Sequence, residues 1–324
     1  MASGYYDDAE RRLNDLLDQQ ERRIADIFRT AIANLRDDLD LNRLANLIEQ
    51  GRLNEAIEEL QHAAEALGAA SNVAFVTSGQ STADFLSNAG LGRIVFDQVN
   101  VGAVAIMQAA RLEMIREFTN EQRRAVQLAV MTGIEAGLNP RVQARNFRDS
   151  IGLTSRQWAA VANYRRALEA VGSDEGSAAD ALARELRDRR GDAQIRRAIR
   201  ETRPLPTEKI DWLVERYRSR FIIYRSETIG RTEALRAVNA GNEEMYRQAI
   251  EAGMIDPADL RRTWQTRRDG RERQTHMLLH GQTKRWGEAW RTIHGEIRFP
   301  GDPQAQASEV IRCRCAISTR IRQR

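Results

Sequence analysis

Lysine is almost missing from this chain. Of its 50 basic residues only Lys209 and Lys284 are lysines; all others are arginines. The guanidinium fork matches phosphate oxygens, so an arginine-only surface suits phosphate binding. A GC-rich genome produces the same bias through its codons, and because the bias covers the whole chain this second reading is the better supported. Cysteine occurs only as Cys313 and Cys315. That spacing is poor for a mutual disulfide, which excludes a disulfide scaffold and fits synthesis in a reducing cytoplasm. Aromatics make up 6% of the residues against 30% for charged ones, a balance that favours long solvated helices over a compact β-rich enzyme. No stretch approaches the roughly 20 apolar residues that cross a bilayer. Met1 to Asp8 show neither a basic start nor an apolar run, so no secretory signal and no membrane partner are expected. The phosphate loop G-x-x-x-x-G-K-[ST], the fingerprint G-x-G-x-x-G and the zinc-helix motif H-E-x-x-H are all missing. Neither cysteine sits in a recognised nucleophile context, and Ser226-Glu227-Thr228 has no histidine near it in sequence.

What is present is a chain of 324 residues, long enough for two domains, with a globular hydrophobic fraction of 42%. Its charge is uneven. From Arg261 to Arg324 there are 15 basic and 6 acidic residues, a surplus of +9 in a chain whose total is +4, so the remainder is net −5. A basic end on an acidic body suits a polyanion or an acidic protein surface.

Helical periodicity begins early. Leu13, Leu16, Leu17, Ile24, Ile27, Phe28, Ile32 and Leu35 recur at spacings of three, four and seven, predicting an amphipathic helix of about 30 residues. A second series, Leu41, Leu44, Leu47, Ile48, Leu53, Ile57 and Leu60, completes a helical hairpin over 1–90. The stripe either serves the chain's own core, the more general use, or docks on a partner subunit. Residues 69–83, small and polar, read as a loop, and 94–118 as a central buried helix. Thr119-Asn120-Glu121-Gln122 and Thr154-Ser155-Arg156-Gln157 read as capping boxes that open helices. Gly137 ends one helix and Asn139-Pro140 starts the next. Residues 172–177 read as a flexible connector and 181–203 as a highly charged helix, either mobile or solvated. Thr207 starts a long helix reaching about Ala252. These elements make a helical body over 91–255. After Trp264 the spacing shortens and short strands are expected, giving a small α+β module over 256–324. The fold class is therefore mainly α, a long helical N-terminal body with a small α+β C-terminal module.

The last quarter carries the most specific signals. Asp269-Gly270-Arg271-Glu272-Arg273-Gln274-Thr275-His276 forms D-x-R-x-R-x-x-H and runs on to Gly281. Pro300-Gly301-Asp302-Pro303 follows, and the order closes on Arg312-Cys313-Arg314-Cys315. Several spaced blocks in this order resemble the C-terminal domain of the phage Mu F-like head morphogenesis family, the minor capsid proteins encoded beside the portal. The family pattern ends in Asn-Cys-Arg-Cys; here Arg312 replaces the Asn. Residues 152–165 and 230–241 are also similar, so the resemblance extends over about 90–318. It implies an assembly protein and not an enzyme. It would bind the portal protein and a capsid or scaffold protein during procapsid assembly and DNA packaging or ejection. Its place would be the virion, at the capsid interior or portal vertex, after assembly in the host cytoplasm. Packaged DNA would be a further, sequence-independent partner through Arg267, Arg268, Arg271 and Arg273.

Residue chemistry adds two open questions. On a helix His276 and His280 would share a face, and on a strand Cys313 and Cys315 would face one side. Two imidazoles and two thiolates suit a tetrahedral, structural zinc site. His276 alone of the two histidines matches the family position, and His294 is a third candidate. The plainer alternative is a core histidine bonded to backbone or to Asp269, with the cysteines packed as small apolar residues. Asp269, Arg271 and Arg273 read either as a phosphate or acid–base site or, with more support, as an ion-pair network that orients the helix. The competing function is a metal-dependent nuclease or toxin-like enzyme built on Asp269, His276 and the Cys313/Cys315 pair. Pro300-Gly301-Asp302-Pro303 reads as a plain turn.

Overall fold

Gly230 and Gly241 lie inside a single helix of 45 residues, although each costs about 1 kcal/mol there relative to alanine. The computed structural model shows why they are used. A Cβ on Gly230 would stand 2.5 Å from the carbonyl oxygen of Glu21, and one on Gly241 would stand 2.2 Å from that of Phe75. The helix is crossed at these points by the backbones of two others, and only glycine admits the approach.

The structure describes residues 2–58 and 61–322. Leu60, Met1 and Arg324, named above, lie outside them. In chain order the helices are α1 (Ala2–Asp37), α2 (Leu41–Glu49), α3 (Leu53–Glu58), α4 (Gln61–Asn88), α5 (Val101–Glu135), α6 (Pro140–Ser150), α7 (Ser155–Glu169), α8 (Glu175–Ala183), α9 (Asp192–Arg200) and α10 (Thr207–Glu251). The C-terminal part follows as β1 (Leu260–Gln265), α11 (Gln274–Leu279), β2 (Thr283–Arg285), β3 (Trp290–Thr292), β4 (Gly295–Ile297), α12 (Ala307–Val310) and β5 (Ala316–Ile321). The protein is thus mainly α with a small α+β C-terminal module. No helix among the described residues is long and apolar enough to cross a membrane.

The chain divides into two compact units, each discontinuous in sequence: Met1–Phe28, Glu65–Ile115 and Ser226–Arg324 in one, Arg29–Ala64 and Arg116–Arg225 in the other. The segment 256–324 lies wholly in the first, whereas 1–90 and 91–255 are each shared between them.

In the first unit, residues 69–83 are not a loop; they belong to α4. Their small side chains let α4 lie close on α10, and their hydroxyls remain bonded. Thr77 and Thr82 donate to the carbonyls of Val73 and Ser78 at 2.7 and 2.8 Å, and Ser78 donates to Val238 O at 2.6 Å. The expected buried helix over 94–118 also shifts. Its helix, α5, begins only at Val101, where Asn100 Oδ1 accepts the Gly102 N–H at 2.9 Å. Val95, Val99, Val101 and Leu112 are exposed. The α1 stripe is used inside the chain. Leu13, Leu16 and Leu17 pack in one core with Leu235 and Val238 of α10 and with Trp264, Trp290, Ile297 and Ile317 of the C-terminal part.

That part is built on a three-stranded antiparallel sheet of order β2-β1-β5, with β3 and β4 forming a separate hairpin. Strands begin at Leu260, before Trp264 and earlier than the spacing suggested. Alternation along β1 puts Leu260, Arg262 and Trp264 on one face, and all three are buried. Arg262 is accepted there because its guanidinium donates to Glu243 of α10 at 2.7 Å and to Arg298 O at 2.8 Å.

In the second unit, Thr119–Gln122 does not open a helix, because α5 runs through it unbroken. Gln122 is buried instead, donating to Leu153 O at 2.9 Å and accepting the Gly152 N–H at 2.7 Å. A side chain typed like a capping residue serves a distant turn. The other signals hold: Thr154 and Gln157 form a reciprocal capping box, Asn139 caps α6 with Pro140 inside its first turn, and Gly137 has φ +65°. The charged stretch 181–203 is not one solvated helix. It is the end of α8, a short turn and α9, and Asp188 within it is buried under Arg190 and Arg216. Arg218 and Arg225 are buried too. Desolvation pulls both down to about 10, and their guanidinium groups donate to the carbonyls of Asp149, Ile151 and Gly152.

Candidate metal centre

Two short segments meet in the core of the first unit. The first is α11, six residues long, which carries His276 on its buried side next to Leu279. The second is the link from α12 to β5. Arg312 there has φ +58°, a left-handed conformation, and Cys313 and Cys315 follow in the link that leads into β5. The left-handed region favours Gly and Asn, which gives a physical reason for the Asn of the family pattern. Arg312 holds the same conformation with help from α10: its N–H donates to Thr232 Oγ1 at 3.2 Å and its guanidinium to Thr228 Oγ1 at 3.3 Å.

The result is a cluster of three buried donors. His276 Nδ1 is 3.3 Å from Cys313 Sγ and 3.4 Å from Cys315 Sγ. All three candidate ligand atoms lie within 4.8 Å of one another. The other ring nitrogen, Nε2, is 2.6 Å from Glu309 Oε2 in α12, a short contact though poorly aligned for a straight hydrogen bond. Glu309 is 2% exposed and also accepts the hydroxyls of Thr275 and Thr292 at 3.1 and 3.2 Å. Trp264 stands edge-to-face against His276 with centroids 5.2 Å apart. The two thiols differ. Hydrogen bonding from Cys315, opposed by burial and assisted by His276, holds the Cys313 thiol well below the usual thiol range. Cys313 and burial together push Cys315 up. Both sulfurs face the imidazole Nδ1, a soft donor pair beside a nitrogen donor.

The sequence candidates separate on this geometry. His276, Cys313 and Cys315 come together. His280 does not: α11 ends at Leu279, so the one-turn spacing is lost. Its Nδ1 lies 3.1 Å from both the N–H and the hydroxyl of Thr266, and its Nε2 lies 2.6 Å from an Arg268 nitrogen. His294 is half-exposed, its Nε2 3.7 Å from Glu309 Oε1. Asp269 also stands outside the cluster. It accepts the Arg271 N–H at 3.2 Å and pairs with the Arg314 guanidinium, so it ties the turn before α11 to the residue between the cysteines. Arg273 donates to Ile311 O, and Gly281, at φ +78°, donates its N–H to Trp264 O at 2.8 Å. Arg267 pairs with Asp18 of α1 at 2.7 Å, while Arg271 is exposed. The block therefore acts mainly as a brace that positions His276. The Pro300–Pro303 segment is the turn it was expected to be: Asp302 is buried and accepts the Arg298 guanidinium at 2.6 Å and the Gln304 N–H at 3.0 Å.

Sequence reasoning missed Glu309. A signal was available, since it is the sole acidic residue from 303 to 324 in a strongly basic stretch and stands four residues before Cys313.

A mainly helical chain ending in a small α+β module, with a His-Cys-Cys cluster and a D-x-R-x-R-x-x-H brace, defines the class. Residues 170–318 match the family model described as Phage Mu protein F like protein, which supports a Mu F-like assignment for this segment. That family is a bacteriophage head-morphogenesis family. The match runs from the end of α7 into β5; residues 152–165, which also resemble the family, fall outside it. No curated protein and no solved structure matches the chain.

Proposed function

We propose that this protein is a minor capsid protein of a tailed phage or phage-like particle. It binds the portal protein, or an inner capsid or scaffold protein, during procapsid assembly and DNA packaging or ejection, and it acts by binding and not by catalysis. The observation that carries this reading is the Mu F-like match over the segment that contains the whole brace and cluster. The burial of His276, Cys313 and Cys315 supports it, because a hydrolytic centre has to admit its substrate. Packaged DNA is a secondary, non-specific partner of the basic segment 261–324, reached through exposed arginines such as Arg271.

The test uses the full chain with the portal protein encoded beside it. Co-purification of the two, and particles with altered DNA content when the gene is deleted, are the expected results. Normal particles without the protein, and no complex with portal, capsid or scaffold, would overturn the reading. Metal-dependent DNA cleavage by the wild type, lost in a folded His276→Ala variant, would establish the nuclease alternative instead.

A further inference from the structure

The geometry points to a bound thiophilic dication of the zinc type, held by His276 Nδ1, Cys313 Sγ and Cys315 Sγ, with Glu309 as the carboxylate that orients the imidazole. This inference is independent of the assembly role.

Four observations converge. The donor set, two thiolates and an imidazole, is what a borderline-soft dication selects over magnesium or calcium. The spacings suit it. Ligands at about 2.3 Å for sulfur and about 2.0–2.1 Å for nitrogen around a tetrahedral ion lie roughly 3.5 Å apart, and the imidazole here is 3.3 and 3.4 Å from the two sulfurs. The donors also face one another with no apolar side chain needed to explain it: a core that wanted only small volume at 313 and 315 would not aim both sulfurs at one ring nitrogen. Finally, the ring is held from behind. A metal-bound histidine commonly gives its second nitrogen to a carboxylate, which sets the tautomer and strengthens the donor. Glu309 stands at that nitrogen, at 2.6 Å, and is itself positioned by two threonine hydroxyls.

Glu309 is an orienting group and not a ligand, because it faces Nε2 while the sulfurs face Nδ1. Three protein donors leave a fourth position to water or another small donor. A cavity of about 150 Å³, lined by apolar residues such as Leu17 and Leu235 as well as by Asp18, Arg267 and Arg314, reaches Cys313. The ion joins α11 to the strand-leading segment across 37 and 39 residues of chain. Elements as short as α11 and α12 have little core of their own, so the ion serves as their staple.

The test is made on the full chain, purified under reducing conditions without chelator. Elemental analysis should find about one zinc per chain. Cobalt substitution should produce thiolate charge-transfer absorption with the d–d bands of a tetrahedral ion, and the X-ray absorption of the zinc form should give a first shell of two sulfurs and one or more light atoms. Glu309→Gln keeps all three ligands, so it should still bind at saturating zinc but release it to a competing chelator roughly 10- to 100-fold more readily. His280→Ala should bind as the wild type does. Folded wild type that takes up neither zinc nor cobalt, or a first shell without sulfur, would overturn the site. Unchanged affinity in Glu309→Gln would remove Glu309 from it. If the cysteine variants do not fold, the wild-type first shell still decides.

Discussion

His276 and Glu309 form a buried pair, 2.6 Å apart and 1% and 3% exposed at their side chains, that joins α11 and α12 of the C-terminal module. Their partners differ in kind. The carboxylate takes two hydroxyls on its free sides, and the imidazole turns its remaining nitrogen to two sulfurs. Glu309→Ala removes the acceptor of the Thr275 hydroxyl, one of the two acceptors of the Thr292 hydroxyl and the buried carboxylate that faces Nε2. The expected loss is about 3 kcal/mol, in the range for breaking a buried polar pair. Urea unfolding followed by tryptophan fluorescence reports on it, since buried Trp264 stands edge-to-face against His276 and buried Trp290 packs on Trp264. A loss under about 1 kcal/mol would show that the contact does little.

Arg312 holds a left-handed backbone that most side chains avoid at a cost of about 1–2 kcal/mol. Asparagine visits this region readily, so Arg312→Asn should recover part of that cost while keeping the N–H bond to Thr232. The thermal midpoint should hold or rise by a degree or two. A fall of several degrees would mean that the guanidinium contact with Thr228 outweighs the backbone strain.

Asp302 gives a pH dependence with a definite sign. Burial pushes its carboxyl up, but the Arg298 guanidinium and the N–H groups of Arg298 and Gln304 outweigh burial and hold it below the ordinary carboxylate range. A depressed pKa means stabilisation that is complete above the unfolded value, near 3.9, and lost as pH falls through the folded one. Asp302→Asn should therefore lower stability at neutral pH and flatten the loss on acidification below about pH 4. Parallel acid limbs for the two proteins in a denaturant series would contradict this.

The proposed DNA contacts should be tested where arginines are exposed. Arg267 is committed to Asp18 and Arg273 to Ile311 O, so changing them confuses folding with binding. Arg268→Gln together with Arg271→Gln leaves those contacts alone. Each lost phosphate contact should reduce the log–log salt slope of duplex binding by roughly 0.9. An unchanged slope would place the contacts elsewhere on the segment.

Some of the site was legible because its parts are local. The D-x-R-x-R-x-x-H order, the C-x-C pair and the Pro-Gly-Asp-Pro turn are short-range patterns; the histidine does sit on a helix and the turn is a turn, but Cys313 and Cys315 lie in the link before β5 and not on a strand. His280 misled because the four-residue spacing implies a shared face only if the helix continues, and α11 stops one residue too soon. Glu309 was passed over because its role depends on His276, more than 30 positions away. Residues 69–83 misled in the other direction: small hydroxyl residues read as loop when no neighbour is known, yet they are what a helix needs when another helix crosses it closely. Gln122 belongs with them, a capping type recruited to hold a turn 30 residues on.

The sequence by itself determined the helical character of the body, the caps of α6 and α7, the long run of α10 and the kinship of the last half. These rest on 3.6-residue periodicity, capping chemistry and ordered motifs, all expressed over a few neighbouring residues. The tertiary structure decided which histidine meets the thiols, that an acid stands behind it, and that the α1 stripe is covered by the chain's own core. Those outcomes depend on burial and on distances between segments far apart in sequence. There the free energy lies in desolvation and in pairs that only the folded chain brings together.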